Sequence, residues 1–212
     1  MTIVKPAAPI VLYRHPISGH SHRVELFLSL LGLPATLIDV DLAARAHKQP
    51  AFLAKNIFGQ IPVIEDGNVT LSDSNAILVY LATKYGDEDW LPRTPEGAAQ
   101  VQRFLSIAAG DIAFGVAAAR IANIFGGPFD HETAQARAHR LLAIFDQLLA
   151  QTPYLTGPQP SIADVACYSY LSHAPEGGIA LDAYPQVLTW IARIEALPGF
   201  VPMRVTKVSL AA

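Results

Sequence analysis

Pro62 interrupts a run that is otherwise strand-like, Ile-Pro-Val-Ile-Glu at 61–65, and this position constrains the fold more than any other. Proline has no backbone N–H to give to a ladder, so the run belongs at a sheet edge or where the backbone turns toward a ligand. Asp66-Gly67 is a hairpin signal, and Val69-Thr70-Leu71 is the returning strand. Upstream, Ile10-Val11-Leu12-Tyr13 reads as a strand followed by a polar, turn-rich stretch, 14–20. Val24, Phe27, Leu28 and Leu31 then recur at helical spacing until Gly32 and Pro34 stop the helix. Residues 35–40 predict a second strand, giving a βαβ unit with a parallel pair. A polar loop, 41–50, and a short helical turn, 51–55, lead into the proline segment. After the hairpin, Ser72-Asp73-Ser74 precedes a helix carrying Ile77, Leu78, Tyr80 and Leu81, with Ser74 or Asp73 as its cap.

The texture changes at 86–95, a charged connector that contains prolines. Beyond Glu96 no strand pattern recurs, only helical patterns over 96–125, 131–151, 161–173 and 184–197. A chain of 212 residues has room for two small domains at roughly 150 residues per domain. The expected division is an α/β domain at 1–86, a linker at 87–95 and an all-helical domain at 96–212.

Charged residues make up 16% of the chain, against about 25% in ordinary soluble proteins. With 15 basic and 18 acidic residues there is no electrostatic footprint for a phosphate backbone, so a nucleic-acid partner is not expected. A membrane span is not expected either. The most apolar long stretch, 105–122, is broken by Asp111 and Arg120 and built from Ala and Gly, short of about 20 strongly apolar residues. Pro6, Pro9 and Arg14 interrupt any export signal. The lone Cys167 offers neither an internal disulfide nor zinc-finger spacing, which points to the reducing cytoplasm. The missing charge is then hidden in an interface, a ligand cleft or packed helices. Residues 97–129 have only Arg103, Asp111 and Arg120 charged, and residues 161–192 only Asp164, Glu176 and Asp182.

The loop at 13–24, the Asn-x-x-Gly-Gln-Ile-Pro-Val run within 56–67, the Asp73-Ser74-x-Ala76-Ile77 stretch within 71–81, and Ser161-Ile162-Ala163-Asp164 occur in an order that resembles the cytosolic glutathione transferases. The resemblance spans nearly the whole chain and is strongest for bacterial members that use a catalytic serine. It implies a thioredoxin-like N-terminal domain (βαβ-αββα), an all-helical C-terminal domain, glutathione as co-substrate, a homodimer, and no metal. The implied reaction is addition of the glutathione thiolate to a small hydrophobic electrophile. A glutathione-dependent isomerase or dehalogenase, or a non-catalytic binding protein of this fold, remains the alternative.

The resemblance also assigns residues. Ser18 is the expected donor to the thiolate, with Tyr13, His20 and Ser21 as rivals in the same region. Ile61-Pro62 would be joined by a cis bond, and Val63 would offer its backbone to the cysteinyl unit. Asp73 and Ser74, at a helix start, would hold the γ-glutamyl end, which fits the attraction of helix N-termini for anions; Asp73 is shorter than the residue usual there. His47, Lys48 and Gln60 would face the glycyl end, though a His-Lys pair on a loop is also an ordinary solvated pair. Asp111 either reaches the glutathione of a neighbouring subunit or is a simple interface acid. Phe114 and Met203 would line the site of the second substrate. His15, His20 and His22 lack a carboxylate or cysteine at ligand spacing, so no metal is expected. No cysteine stands at 18–21 to form a mixed disulfide with glutathione. Ser161 and Asp164 read as a capping box with a role in folding.

Overall fold

The computed structural model describes residues 5–206. They form two compact units: residues up to 91 together with 197–204, and residues 92–196 together with those from 205 onward.

The first unit runs β1 (Ile10–Arg14), α1 (Gly19–Leu30), β2 (Ala35–Asp39), a 3-10 turn (Ala46–Lys48), α2 (Pro50–Leu53), β3 (Val63–Asp66), β4 (Val69–Ser72) and α3 (Ser74–Tyr85). The strand order is β2-β1-β3-β4, with β1 and β2 parallel and the other pairs antiparallel. This is the thioredoxin-like βαβ-αββα arrangement. Ile10, Leu12, Val63 and Ile64 from the two inner strands are buried, as are Val24, Phe27 and Leu28 of α1 and Ile77, Leu78 and Leu81 of α3. The third strand does not begin at 61 as the apolar pattern suggests. Pro62 cannot donate to a ladder, so pairing starts at Val63, opposite Tyr13 on one side and Ser72 on the other. The Ile61–Pro62 peptide bond is cis. α1 starts at Gly19, a turn earlier than its apolar spacing shows, because Ser18 caps it by accepting from the Ser21 N–H.

Residues 197–204 belong to this first unit. Ser29 Oγ donates to the Gly199 carbonyl at 2.6 Å, His22 Nε2 donates to the Val201 carbonyl at 2.9 Å, and Met203 is buried.

The second unit is all-helical: α4 (Pro95–Ile107), a π-helical stretch (Ala108–Ala117), α5 (Ala118–Phe125), α6 (His131–Leu149), α7 (Ile162–Leu171), a 3-10 turn (Ala174–Gly177) and α8 (Pro185–Glu195). The run 95–125 is long and apolar enough to cross a membrane by length and composition. Here it is the core helix of its unit: Val101, Phe104, Leu105, Ile112 and Val116 are buried, and it packs on α6 and α7. At Gly115 a Cβ would lie 3.2 Å from the Ala138 nitrogen, so the absent side chain lets α6 approach. The capping box forms as expected, and Asp164 does more than close it. Its carboxylate accepts from the Ser161 N–H and hydroxyl, from the Leu155 N–H at 2.9 Å, and from the Trp190 indole of α8 at 2.9 Å. Arg120 and Glu176 form a buried ion pair at 2.6 Å, and Arg120 also donates to Thr206 Oγ1.

Candidate active site

A cleft of about 790 Å³ opens in the first unit, lined by the residues that the proline segment, the 41–48 loop and the start of α3 bring together. Of the expected ligand-binding residues, His47, Lys48, Gln60, Ile61, Pro62, Asp73 and Ser74 all line it, and so does His20. Val63 does not. It is fully buried, and its flanks face β1 and β4.

Each lining residue is placed by a local cause. Asn56, almost fully buried, donates to the Gln60 carbonyl at 2.8 Å and accepts from the Phe58 N–H, which shapes the turn before Ile61-Pro62. Lys48 Nζ donates to the carbonyls of Phe58 and Gly59 at 3.0 and 2.7 Å, which fastens that turn to the 41–48 loop. Gly59 has φ +56°, and a Cβ there would lie 2.7 Å from the His47 carbonyl oxygen, so glycine alone fits. An ammonium carries three hydrogens, so Lys48 keeps one more for the cleft. The His47 Nδ1 is buried and finds no hydrogen-bond partner among the described residues. Burial, followed by the charges of Lys48 and Arg45, holds the imidazole below its ordinary pKa and so favours the neutral ring.

At the opposite wall, Asp73 adopts φ 71° and ψ 120°, a conformation rare for a residue with a Cβ, and caps α3 by accepting from the Ala76 N–H at 2.9 Å. Ser74, the first residue of α3, is buried. Its hydroxyl accepts from Arg23 Nη1 at 3.2 Å and lies 3.2 Å from His20 Nδ1. Arg23 is only 1% exposed, so a full positive charge sits directly behind the serine. Arg23 went unassigned in the sequence. The signal was there, since a charged residue four positions before Phe27 falls on the buried face of an apolar helix.

The rivals for the thiol-facing position separate by what they touch. The Tyr13 hydroxyl donates to Glu65 Oε2 at 3.0 Å, and Lys55 pairs with the same carboxylate while its Nζ lies over the tyrosine ring. Lys55, hydrogen-bonded to Glu65, keeps that carboxyl below its usual pKa, so the phenol is committed to an anion. Ser21 is buried, and its Oγ accepts from the His15 N–H. Ser18 is half-buried at the start of α1; its oxygen accepts the Ser21 N–H at 3.3 Å, which leaves the hydroxyl hydrogen as a donor. Neither Ser18 nor Tyr13 is among the cleft-lining residues.

The remaining expected residues lie elsewhere. Asp111 and Phe114 are exposed on the π-helical stretch of the second unit, Phe114 at 57%. Met203 is buried in the first unit with 3% exposure. Among the described residues no group of three or more His, Cys, Asp or Glu side chains is placed to hold a metal ion.

These features define a thioredoxin-like domain, with a cleft between its proline segment and the start of α3, followed in the chain by an all-helical domain. Residues 8–83 match the model of the glutathione S-transferase N-terminal domain, and residues 128–201 match that of the C-terminal domain. The chain is 35% identical to glutathione S-transferase 3 of Zea mays over 91% of its own length and 92% of the relative's. It is 30% identical to human glutathione S-transferase theta-2B, covering 89% of this chain and 81% of that one. Among solved structures, a glutathione S-transferase from Pseudomonas fluorescens superposes with a TM-score of 0.87 at 33% identity, over 93% of this chain and all of that one. A glutathione transferase homologue from Drosophila mojavensis, solved with bound glutathione, superposes with a TM-score of 0.81 at 26% identity, over 90% and 89%. The chain belongs to the glutathione S-transferase family and is an enzyme of that class.

Proposed function

We propose that this chain binds glutathione in the cleft of its first unit, holds the thiol as the thiolate, and adds it to a small hydrophobic electrophile. The observation that carries this reading is the start of α3, where Ser74, backed by the buried Arg23, faces the same cleft as the cis Ile61–Pro62 segment. A helix N-terminus reinforced by a buried cation suits the γ-glutamyl carboxylate. Asp73 commits one carboxylate oxygen to the Ala76 N–H, and its other oxygen accepts from the ligand's ammonium. The backbone of Ile61, on the cleft side of the proline, pairs with the cysteinyl unit as a strand would. His47, Lys48 and Gln60 receive the glycyl carboxylate, with the third Lys48 hydrogen as a donor. In this reading Ser18 donates its hydroxyl hydrogen to the sulfur and stabilises the anion without acting as a base.

The working protein is a homodimer in the cytoplasm. Its interface and second-substrate surface draw on 97–129, where Phe114, Phe125 and Phe129 are exposed. Asp111 in that stretch extends to the glutathione of the partner subunit.

An unperturbed thiol has a pKa near 8.5, and each unit of lowering requires about 1.4 kcal/mol of preferential stabilisation of the anion. Ultraviolet titration of the bound thiol reads this directly. Ser18→Ala is expected to raise the thiol pKa and lower kcat/KM by roughly 100-fold, whereas Tyr13→Phe leaves both unchanged. Ser18→Gly separates chemistry from capping, because glycine keeps most of the cap's stability while removing the hydroxyl. An unchanged thiol pKa in both serine variants removes Ser18 from its role. Calorimetry with glutathione and conjugation of an activated aryl halide test the reading as a whole, and a protein that binds no glutathione overturns it.

A further inference from the structure

His20 lines the cleft, yet its Nδ1 meets Ser74 at 3.2 Å and Arg23 Nη1 at 3.1 Å, which places the ring at the α3 end and in contact with the serine there. A guanidinium has only hydrogens to give, so Nδ1 must accept, and the neutral ring carries its proton on Nε2. Burial, then the neighbouring Arg23 charge, pushes His20 down to about 3, in keeping with a neutral ring. The hydrogen count then leaves a choice. Arg23 Nη1 bears two hydrogens, and three acceptors lie within reach: His20 Nδ1, Ser74 Oγ and Asn75 Oδ1 at 3.3 Å. If Arg23 serves Ser74 and Asn75, the lone pair of His20 Nδ1 takes the Ser74 hydroxyl hydrogen. If Arg23 serves His20, that hydroxyl hydrogen is released toward the cleft.

We infer that His20 is a positioning residue for Ser74: its Nδ1 holds the serine hydroxyl hydrogen while the cleft is empty, and an arriving ligand carboxylate takes that hydrogen as Arg23 turns to His20. No proton changes owner, since only hydrogen-bond partners exchange. The ligand class is a carboxylate flanked by an ammonium, because Asp73 adjoins Ser74. The inference rests on the glutathione reading above and assigns His20 to the γ-glutamyl end instead of the sulfur.

Nitrogen-15 NMR of the imidazoles and calorimetry with glutathione test it together. In the free protein His20 should show a protonated Nε2 and an unprotonated, hydrogen-bonded Nδ1 from about pH 5 to about pH 8, and the Nδ1 shift should move when glutathione binds. His20→Ala should weaken glutathione binding by roughly five-fold, because Ser74 and Arg23 lose the contact that orders them before the ligand arrives, and leave the bound thiol's pKa unchanged. His20→Asn, whose short amide can return an acceptor near the Nδ1 position, should recover most of the affinity, and a thermal melt of each variant shows that it is folded. A proton on Nδ1 overturns the inference, as does a wild-type glutathione affinity in folded His20→Ala. A raised thiol pKa in His20→Ala places the ring at the sulfur and also overturns it. If the wild-type protein fails to bind glutathione, the functional reading falls and this inference with it; an unaltered affinity in the variant removes the inference alone.

Discussion

Asp66 closes the β3–β4 hairpin, and a single oxygen of its carboxylate accepts from the Tyr80 and Tyr85 hydroxyls and from Lys84, each at 2.7 Å. Burial by itself pushes this carboxyl up, but the hydrogen bonds from Lys84, Tyr85 and Tyr80 outweigh it and hold the group below its ordinary 3.8. A folded pKa beneath the unfolded one means that the stabilisation is complete above 3.8 and disappears as the pH falls through the lower, folded value. Acid denaturation of the wild type should therefore steepen below that point. Asp66→Asn should lose about 2 kcal/mol at pH 7 and flatten the acid limb, as chemical denaturation at several pH values would measure. Residues of this kind divide by how they could be read in the sequence. Asp73, Ser74 and Pro62 announce themselves by position, at a helix start or inside a strand. Asp66 reads only as a turn residue, because the phenols and the amine that meet it come from a helix more than a dozen residues away. His20 could be placed in the right loop, while its partner on α3 depends on how α1 and α3 pack.

Secondary-structure elements were legible wherever their ends carry chemistry. Ser161 and Asp164 mark the start of α7, and Asp66-Gly67 marks the hairpin; both stand where the spacing put them. Less visible was the reach of the α7 cap into the next helix. Asp164→Ala would leave the buried N–H groups of Ser161, Leu155 and Trp190 without their acceptor. The expected cost is about 3–5 kcal/mol, with the indole fluorescence of Trp190 reporting the disturbance and the thermal midpoint falling accordingly. The π-helical turns at 108–117 left no trace in the periodicity. Alanine and glycine are compatible with α and π geometry alike, and the choice between them is made by packing on α6, where Gly115 meets Ala138. Asp111 and Phe114 both ride on these wider turns, so their directions could not be taken from a plain 3.6-residue period.

Residues 197–204 return to the unit that begins the chain, and nothing in their composition foretold it, since the segment has no periodicity and its anchors are single contacts. Met203 was expected to touch the second substrate, but its side chain is packed away with 3% exposure. Met203→Ala should lower the stability of the first unit by about 2–4 kcal/mol and speed hydrogen exchange in α1, with KM for the electrophile unmoved. A changed KM in a variant of unaltered stability would return Met203 to the substrate site. The same return of the chain sets an order on biosynthesis. α1 and the sheet are translated before the carbonyls that receive Ser29 and His22 and the methionine that fills that core, which follow only after the helices of the second unit. The first unit is therefore completed only after the helical unit has been made, and in the interval a nascent chain carries the cleft on an unfinished scaffold. A chain ended at residue 196 lacks the Ser29 and His22 anchors and Met203, so it should melt lower than the full chain and be retained less on glutathione resin.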